Sequence, residues 1–304
     1  MKRGATTLAG ILLVDKPAGM TSHDVVAIVR RATGEGRVGH AGTLDPMATG
    51  LLVVLVGRYT RLEPYLSAAR KSYHARILFG AETDTDDAEG TVVCTAPVPD
   101  AVRDPASAAE TLAATMGQSM QMPPAYSAIK VGGRVAHRAA RAGEALDLVQ
   151  RPIDVYEATL VSLDPAAPSW DVDYEVSKGT YVRSLARDLG RACGSAAHLG
   201  ALRRTASGTL SLADAHTLDA IGEAAGGGRI EELFTDPIAA LGLPVHDADA
   251  AELANGRSIA CGAALGASES DLVAVESDGV LAGVYRVRAD RLVPAVVLVT
   301  GGSL

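Results

Sequence analysis

Residues Leu51-Leu-Val-Val-Leu-Val56 place six apolar side chains in a row directly after Gly50. The run is far below the roughly 20 residues of a membrane helix. Its length, its β-branched content and the glycine before it fit a strand. A strand with no polar side chain to offer water is buried on both faces, so the fold has to supply material above and below it. The 304 residues suffice for that, since roughly 150 residues per domain suggests two domains. The 48% hydrophobic and 21% charged content is ordinary for a globular protein and excludes a wholly disordered chain.

The N-terminus invites a different reading, because Lys2 and Arg3 precede the apolar run Leu8 to Val14. A signal peptide needs a small-residue cleavage site next, whereas Asp15-Lys16-Pro17 follows. Gly10 to Val14 therefore reads as a short buried strand and the protein as cytoplasmic. Cys94, Cys193 and Cys261 are far apart, with no CxxC or Cys/His cluster. That pattern argues against a disulfide scaffold or a cysteine-bound zinc.

Other elements follow from periodicity. Ser22 reads as an N-cap, with Val25, Ile28 and Val29 on one helical face and Gly34 closing the helix. His74 to Phe79 and Thr91 to Val93 flank an acidic turn and suggest a hairpin. Helices are expected at Ala106 to Met116 and Arg134 to Arg141. Trp170 to Val176 alternates apolar and acidic residues, the mark of a strand with one wet face. Thr180 to Ala192 reads as a strand end passing into a helix. The glycine-rich stretch 222–230 suggests a flexible connection. Beyond it, Asp249 to Asn255 reads as a helix, and Asp271 to Val275, Val280 to Val287 and Leu292 to Val299 as strands, with Asp278-Gly279 as a hairpin turn.

The net charge of −8 excludes a uniformly basic nucleic-acid binder, but the charge is segregated. Residues 1–79 hold eleven basic and five acidic side chains, residues 80–110 one and eight, residues 111–211 eleven and nine, and residues 212–304 five and fourteen. Two stretches are locally basic. Residues 122–143 carry Lys130, Arg134, Arg138 and Arg141 with no acid, and residues 178–211 carry six basic groups against Asp188. Such faces suit a polyanion, and equally suit ordinary solvated helix surfaces.

Two familiar patterns fail on context. Gly34-Glu-Gly36-Arg-Val-Gly39 matches GxGxxG, but a helix precedes it where the dinucleotide fingerprint needs a strand. Asp84 to Thr95 superficially resembles a calcium loop, yet Ala88 takes a ligand slot and Thr95 stands where the bidentate Glu belongs. The densest constellation is Gly39-His40-Ala-Gly-Thr-Leu-Asp45-Pro-Met-Ala-Thr-Gly50. It fixes a lone carboxylate between glycines and before a proline, then anchors the loop to the apolar run. On spacing alone an Asp-Pro turn explains it as well.

This constellation resembles the catalytic motif of the bacterial tRNA pseudouridine synthases of the B type, which modify uridine 55 in the T loop. Further motifs occur in the same order. Asp15-Lys16-Pro17-x-Gly19 is similar to the family's N-terminal motif, and Lys71-Ser-Tyr73 to the segment with its base-stacking tyrosine. Thr83 to Gly90 is similar to the acidic turn, and Pro123-Pro124-x-Tyr126-Ser-Ala-Ile-Lys130 to the start of the RNA-gripping insertion. Ser177 to Arg183 and Leu202-Arg203-Arg204 are similar to the later active-site motifs.

The resemblance implies an α+β protein with a mixed, mostly antiparallel central sheet and a small β-rich, PUA-like C-terminal domain. The catalytic domain would span 1–232, with the insertion at about 121–150, and the C-terminal domain 238–304. It implies an isomerase that breaks the N1–C1′ bond of uridine, turns the base and rejoins it through C5, without metal or cofactor. Asp45 takes the role of the essential carboxylate, as nucleophile or as base at the sugar. Carboxylic side chains are ordinarily ionised at neutral pH, so this chemistry asks for position more than activation.

Arg183 matches the partner of that carboxylate, and a guanidinium can grip it through two hydrogen bonds. Tyr73 and Tyr181 match aromatic positions at the flipped base, although on pattern alone both fit a core equally well. His40 matches a histidine that props the T loop, and Leu202 a residue contacting the base. Lys16, Lys130, Arg203 and Arg204, with Arg134, Arg138 and Arg141, are expected to face phosphates or support the site. The partner implied is the T stem-loop of tRNA, bound by a monomer with no membrane and no obligatory protein partner. The alternative is a tRNA-folding chaperone in which catalysis is secondary.

Overall fold

In the computed structural model, described for residues 8–144, 146–249, 252–253, 257–261 and 271–298, the chain builds two large sheets, with helices on the larger one, and two short hairpins. β1 (Gly10–Lys16) leads into α1 (Ser22–Thr33). The cap of α1 lies one residue earlier than the sequence suggests. The Thr21 hydroxyl accepts from the Asp24 amide and the Asp24 carboxylate accepts from the Thr21 amide, a reciprocal capping box. Gly34 closes the helix in the left-handed conformation.

β2 (Val38–His40) and β3 (Thr49–Val56) bracket the Asp45 loop, and α2 (Glu63–Leu66) follows. β4 (Lys71–Phe79) runs into β5 (Ala81–Thr83), which pairs β6 (Val92–Thr95). The hairpin at the acidic turn is thus made by β5 and β6. After α3 (Pro105–Ala114) come β7 (Gly117–Gln121), the hairpin β8 (Lys130–Val131) and β9 (Arg134–Val135), and α4 (Ala136–Arg141). β10 (Arg151–Asp164), β11 (Ser169–Val176), α5 (Val182–Ala192) and β12 (Ala197–Ser207) complete the sheet's centre.

β13 (Leu210–Ser211), α6 (Leu218–Gly226), β14 (Phe234–Thr235) and α7 (Pro237–Leu241) then lead to the second sheet. That sheet comprises β15 (Val245–Asp247), β16 (Ile259–Ala260), β17 (Leu272–Ser277), β18 (Val280–Arg288) and β19 (Arg291–Val297).

The large sheet runs β14-β1-β3-β12-β4-β11-β10-β7. Every pairing in it is antiparallel except β3 with β12, which meet in parallel only at Thr49 with Arg203 and Gly50 with Arg204. The expected α+β class and mostly antiparallel sheet are therefore found. The second sheet is ordered β15-β17-β18-β19-β16, with Asp278 and Gly279 at positive φ in the β17–β18 turn.

Burial explains the uninterrupted apolar run. Leu52, Val54 and Val56 of β3 face Val25, Val26 and Val29 of α1, in the core that continues to Trp170 and Val172. Leu51, Val53 and Leu55 face the other way, into a core completed by Ala274, Leu281, Val284 and Val296 of the second sheet. β11 has only one covered face: Trp170, Val172, Tyr174 and Val176 are buried, while Asp171 and Asp173 pair with Arg76 and His74 on the wet side.

One sequence expectation fails here. The glycine-rich stretch from 222 lies largely within α6, because Ile221 and Ala224 are buried in the main core. Burial of that apolar face outweighs the roughly 1 kcal/mol cost of a helical glycine. The helix expected at Asp249 to Asn255 lies mostly outside the described residues.

Gly50 sits at φ +97°, and a Cβ built there would lie 2.3 Å from the Arg204 carbonyl oxygen. Gly36 has open space around the same position. Gly50→Ala should lower unfolding free energy by roughly 2–4 kcal/mol, combining left-handed strain with backbone overlap. Gly36→Ala should change it by less than about 0.5 kcal/mol. Urea unfolding of both variants checks the contrast.

Candidate active site

The loop between β2 and β3 is fastened from several directions. Ser22 Oγ donates to the Leu44 carbonyl at 3.0 Å and accepts from the Leu44 amide at 2.9 Å. The residue read as a helix cap thus pins the residue before Asp45. Lys16 is fully buried, and its ammonium donates to the carbonyls of Pro17, Met20 and Pro46. All three of its donors are used, so Lys16 ties the N-terminal turn to the Asp45-Pro46 bend and does not face a phosphate. Arg204 is 1% exposed and donates to the carbonyls of Leu51 and Gly42, at 2.6 and 3.1 Å. It holds the two ends of the loop together.

Asp45 itself stays accessible. Its side chain is 36% exposed, and one oxygen lies 2.9 Å from Nε of Arg183, whose side chain is 5% exposed. The contact is a close ion pair without hydrogen-bond alignment at Nε. The two-pronged grip expected from the sequence does not form, because the terminal nitrogens are committed elsewhere. Nη1 donates to the Thr85 carbonyl at 2.8 Å and Nη2 to the Tyr126 carbonyl at 3.0 Å, and Asp87 lies 3.6 Å from Nη1. Two carboxylates and two carbonyls compensate a buried cation that would otherwise be costly.

Of the aromatic candidates, Tyr181 borders this centre. Tyr181 precedes α5, and its backbone is clasped by the Gln121 amide, which donates to the Tyr181 carbonyl and accepts from its N–H. Burial raises the Tyr181 phenol above its ordinary pKa, and the Asp45 carboxylate raises it further. Tyr73 is half-buried on β4 against the main core, paired across the sheet with Arg204. Leu202 is 8% exposed on β12, and its carbonyl accepts from the Thr49 hydroxyl at 3.4 Å. His40 packs edge-on against His23, with ring centroids 5.5 Å apart. Burial, then the neighbouring His23 and Arg204, hold its pKa below the usual histidine value.

The other basic candidates divide. Arg203 makes a bidentate pair with Asp15 at 3.1 and 2.8 Å and so braces β12 against β1. Lys130 is exposed on the β8–β9 hairpin, apart from the Asp45 cluster. The basic stretch 178–211 is largely neutralised by acids distant in sequence: Arg183 by Asp45 and Asp87, Arg187 by Asp86, Arg191 by Glu82 and Arg203 by Asp15. The complementary charge blocks were visible in the sequence, but their pairing was not. Arg138 and Arg141 remain exposed on the insertion, while Arg134 pairs with Glu144. Ser22 and Gln121 were missed as site residues, because each acts on a partner remote in the chain.

The described fold is that of a pseudouridine synthase. It superposes on the Cbf5 chain of an archaeal box H/ACA sRNP Nop10-Cbf5 complex with a TM-score of 0.70, at 23% identity over 96% of this chain and 87% of that one. A Cbf5-Nop10-Gar1 complex gives 0.72, at 23% identity over 97% and 86%. The sequence relatives are nearer. The TruB family pseudouridylate synthase N-terminal profile matches residues 30–182, and the tRNA pseudouridylate synthase B C-terminal domain profile matches residues 183–234. Proteins named tRNA pseudouridine synthase B are 51% identical in Corynebacterium aurimucosum, over 70% of this chain and 72% of the relative, and 40% identical in Mycobacteroides abscessus, over 95% and 96%. The chain belongs to the TruB family of pseudouridylate synthases, which are isomerases.

No described helix is long and apolar enough to cross a membrane, and among the described residues no cluster of His, Cys, Asp or Glu is arranged to hold a metal ion.

Lys71 lies beside the same loop. Its ammonium donates to the carbonyls of Ser67 and Ala69, and burial, reinforced by Arg204 and Lys178, lowers its pKa to about 8 from 10.5. The unfolded chain therefore binds this proton more tightly than the folded one between about pH 8 and 10.5, so Lys71 makes stability rise with pH across that window. Below it the penalty is constant. Lys71→Met should remove this part of the slope, read by comparing the pH dependence of urea midpoints for the two proteins.

Proposed function

We propose that this chain isomerises uridine 55 in the T loop of tRNAs to pseudouridine, with Asp45 as the essential carboxylate. The observation that carries the reading is the setting of Asp45, held 2.9 Å from a buried arginine yet 36% exposed. It neither caps a helix nor lies sealed in the core. A base swung out of the RNA can meet such a group, whether the carboxylate attacks the base, attacks C1′ or takes a sugar proton. Extruding the base costs a few kcal/mol, and stacking on an aromatic such as Tyr73 returns roughly 1–3 kcal/mol. Tyr181 and Leu202 complete the walls, and His40 props the T loop. The reaction is an isomerisation: the N1–C1′ bond breaks, C5–C1′ forms, the C5 hydrogen leaves as a proton, and N1 takes up a proton from solvent. The residues given roles here need no metal or cofactor to perform it.

The same reading divides the chain into a catalytic domain at 1–232 and a PUA-like domain at 238–304, acting as a cytoplasmic monomer. The insertion at 121–150 grips RNA through its exposed cations, with Lys130, Arg138 and Arg141 reaching the backbone. Arg187, Arg191 and Arg203 serve architecture instead, since their charges are already matched by acids.

Asp45→Asn should abolish tritium release from a tRNA transcript carrying 5-tritiated uridine, while tRNA affinity stays within a few fold. Wild-type protein that binds tRNA without turnover would refute the reading. Single-stranded contacts each contribute about −0.7 to the log–log dependence of affinity on salt. Replacing Arg138 and Arg141 by alanine should therefore flatten that slope by about 1.4. An unchanged slope would place both side chains off the RNA.

A further inference from the structure

Arg183 and Arg187 lie one helical turn apart on the same face of α5. Both are buried, and both bridge the same two segments. Arg183 reaches the Thr85 carbonyl and Asp87 on the acidic turn, and the Tyr126 carbonyl in the insertion. Arg187 reaches Asp86 at 2.8 Å on that turn and the Met122 carbonyl at 3.0 Å at the start of the insertion. The result is a ladder of two rungs, of which only the first touches Asp45.

The turn is shaped for this division. Asp86 is 7% exposed and sits at φ +61°, a left-handed conformation uncommon outside glycine. That single reversal lets residues 85 and 87 face Arg183 while residue 86 faces Arg187. The turn is also stitched to β12, since the Asp86 carbonyl accepts from the Leu199 amide and the Ala88 amide donates to the Leu199 carbonyl. Asp188, on the solvent side of Arg187, accepts from its Nε at 2.9 Å and lies 2.8 Å from its Nη2.

We propose that Arg187, seated on Asp86, is a positioning residue that fixes the acidic turn and the first residues of the insertion relative to Arg183, and through Arg183 relative to Asp45. This role rests on the activity proposed above. Arg187 is remote from the reacting base. Without the second rung, the left-handed turn loses the charge pair that holds its middle residue, and the Thr85 carbonyl and Asp87 no longer meet Arg183 in one fixed arrangement.

The test uses the full-length protein and a tRNA transcript with 5-tritiated uridine. The double variant Asp86→Asn/Arg187→Met keeps the net charge and removes both halves of a buried pair, an exchange that folded proteins often tolerate. Asparagine also accepts the left-handed backbone. Single-turnover tritium release should fall at least tenfold, while the tRNA dissociation constant moves less than threefold and the thermal transition stays cooperative. Arg187→Lys keeps a cation opposite Asp86 but lacks the fork that also reaches Met122, so it should recover part of the rate.

A folded double variant with the wild-type rate would overturn the proposal. So would a loss of tRNA affinity that accounts for the whole loss of rate. If the double variant fails to fold, Arg187→Lys decides, and the wild-type rate in that protein would overturn the role. Inactive wild-type protein would instead strike the parent reading, which an active wild type with an equally active variant leaves intact.

Discussion

A strand without a wet face has to be covered twice, and the architecture follows from meeting that demand at β3. One row of its side chains lies under α1, and the other lies against the C-terminal sheet. The second sheet is therefore part of the core that anchors the Asp45 loop, whatever it does toward RNA. The apolar area buried along β3 stabilises both contacts at roughly 25 cal/mol per Å². The loop entering the strand at Gly50 inherits that rigidity at its far end.

Charge does at the near end what apolar packing does beyond Gly50. Buried cations hold the loop in two ways. Lys16 and Arg204 are spent on main-chain carbonyls, which fixes irregular backbone where no ladder can. Arg183 alone is shared between carbonyls and the carboxylate that stays open to solvent. The first two assemble the bend, and the third lies against its exposed carboxylate. Buried arginines suit such work, because the guanidinium offers five donors in a fixed plane and stays charged in any setting.

The same bookkeeping revises the electrostatic picture of the surface. A stretch that reads as basic along the chain, 178–211, becomes nearly neutral once folded, because the acidic turn and Asp15 close against it. Lys130, Arg138 and Arg141 of the insertion stay exposed.

The sequence by itself determined most of the elements and singled out Asp45 as the candidate carboxylate. Periodicity separated β3, covered twice, from β11, covered once, because burial is written directly into side-chain type. The motif from Gly39 to Gly50 marked Asp45 through its resemblance to a family motif, since its glycines and proline alone fit an ordinary Asp-Pro turn. Where propensity competed with packing, as at Gly222 in α6, the local reading failed. Only the tertiary structure decided which charges meet. Ser22 and Leu44 are 22 positions apart, Arg183 and Thr85 are 98, and Arg203 and Asp15 are 188. An ion pair leaves no periodic trace along a chain. Its partners are chosen by which strands the sheet places side by side, and that order exists only in the folded molecule.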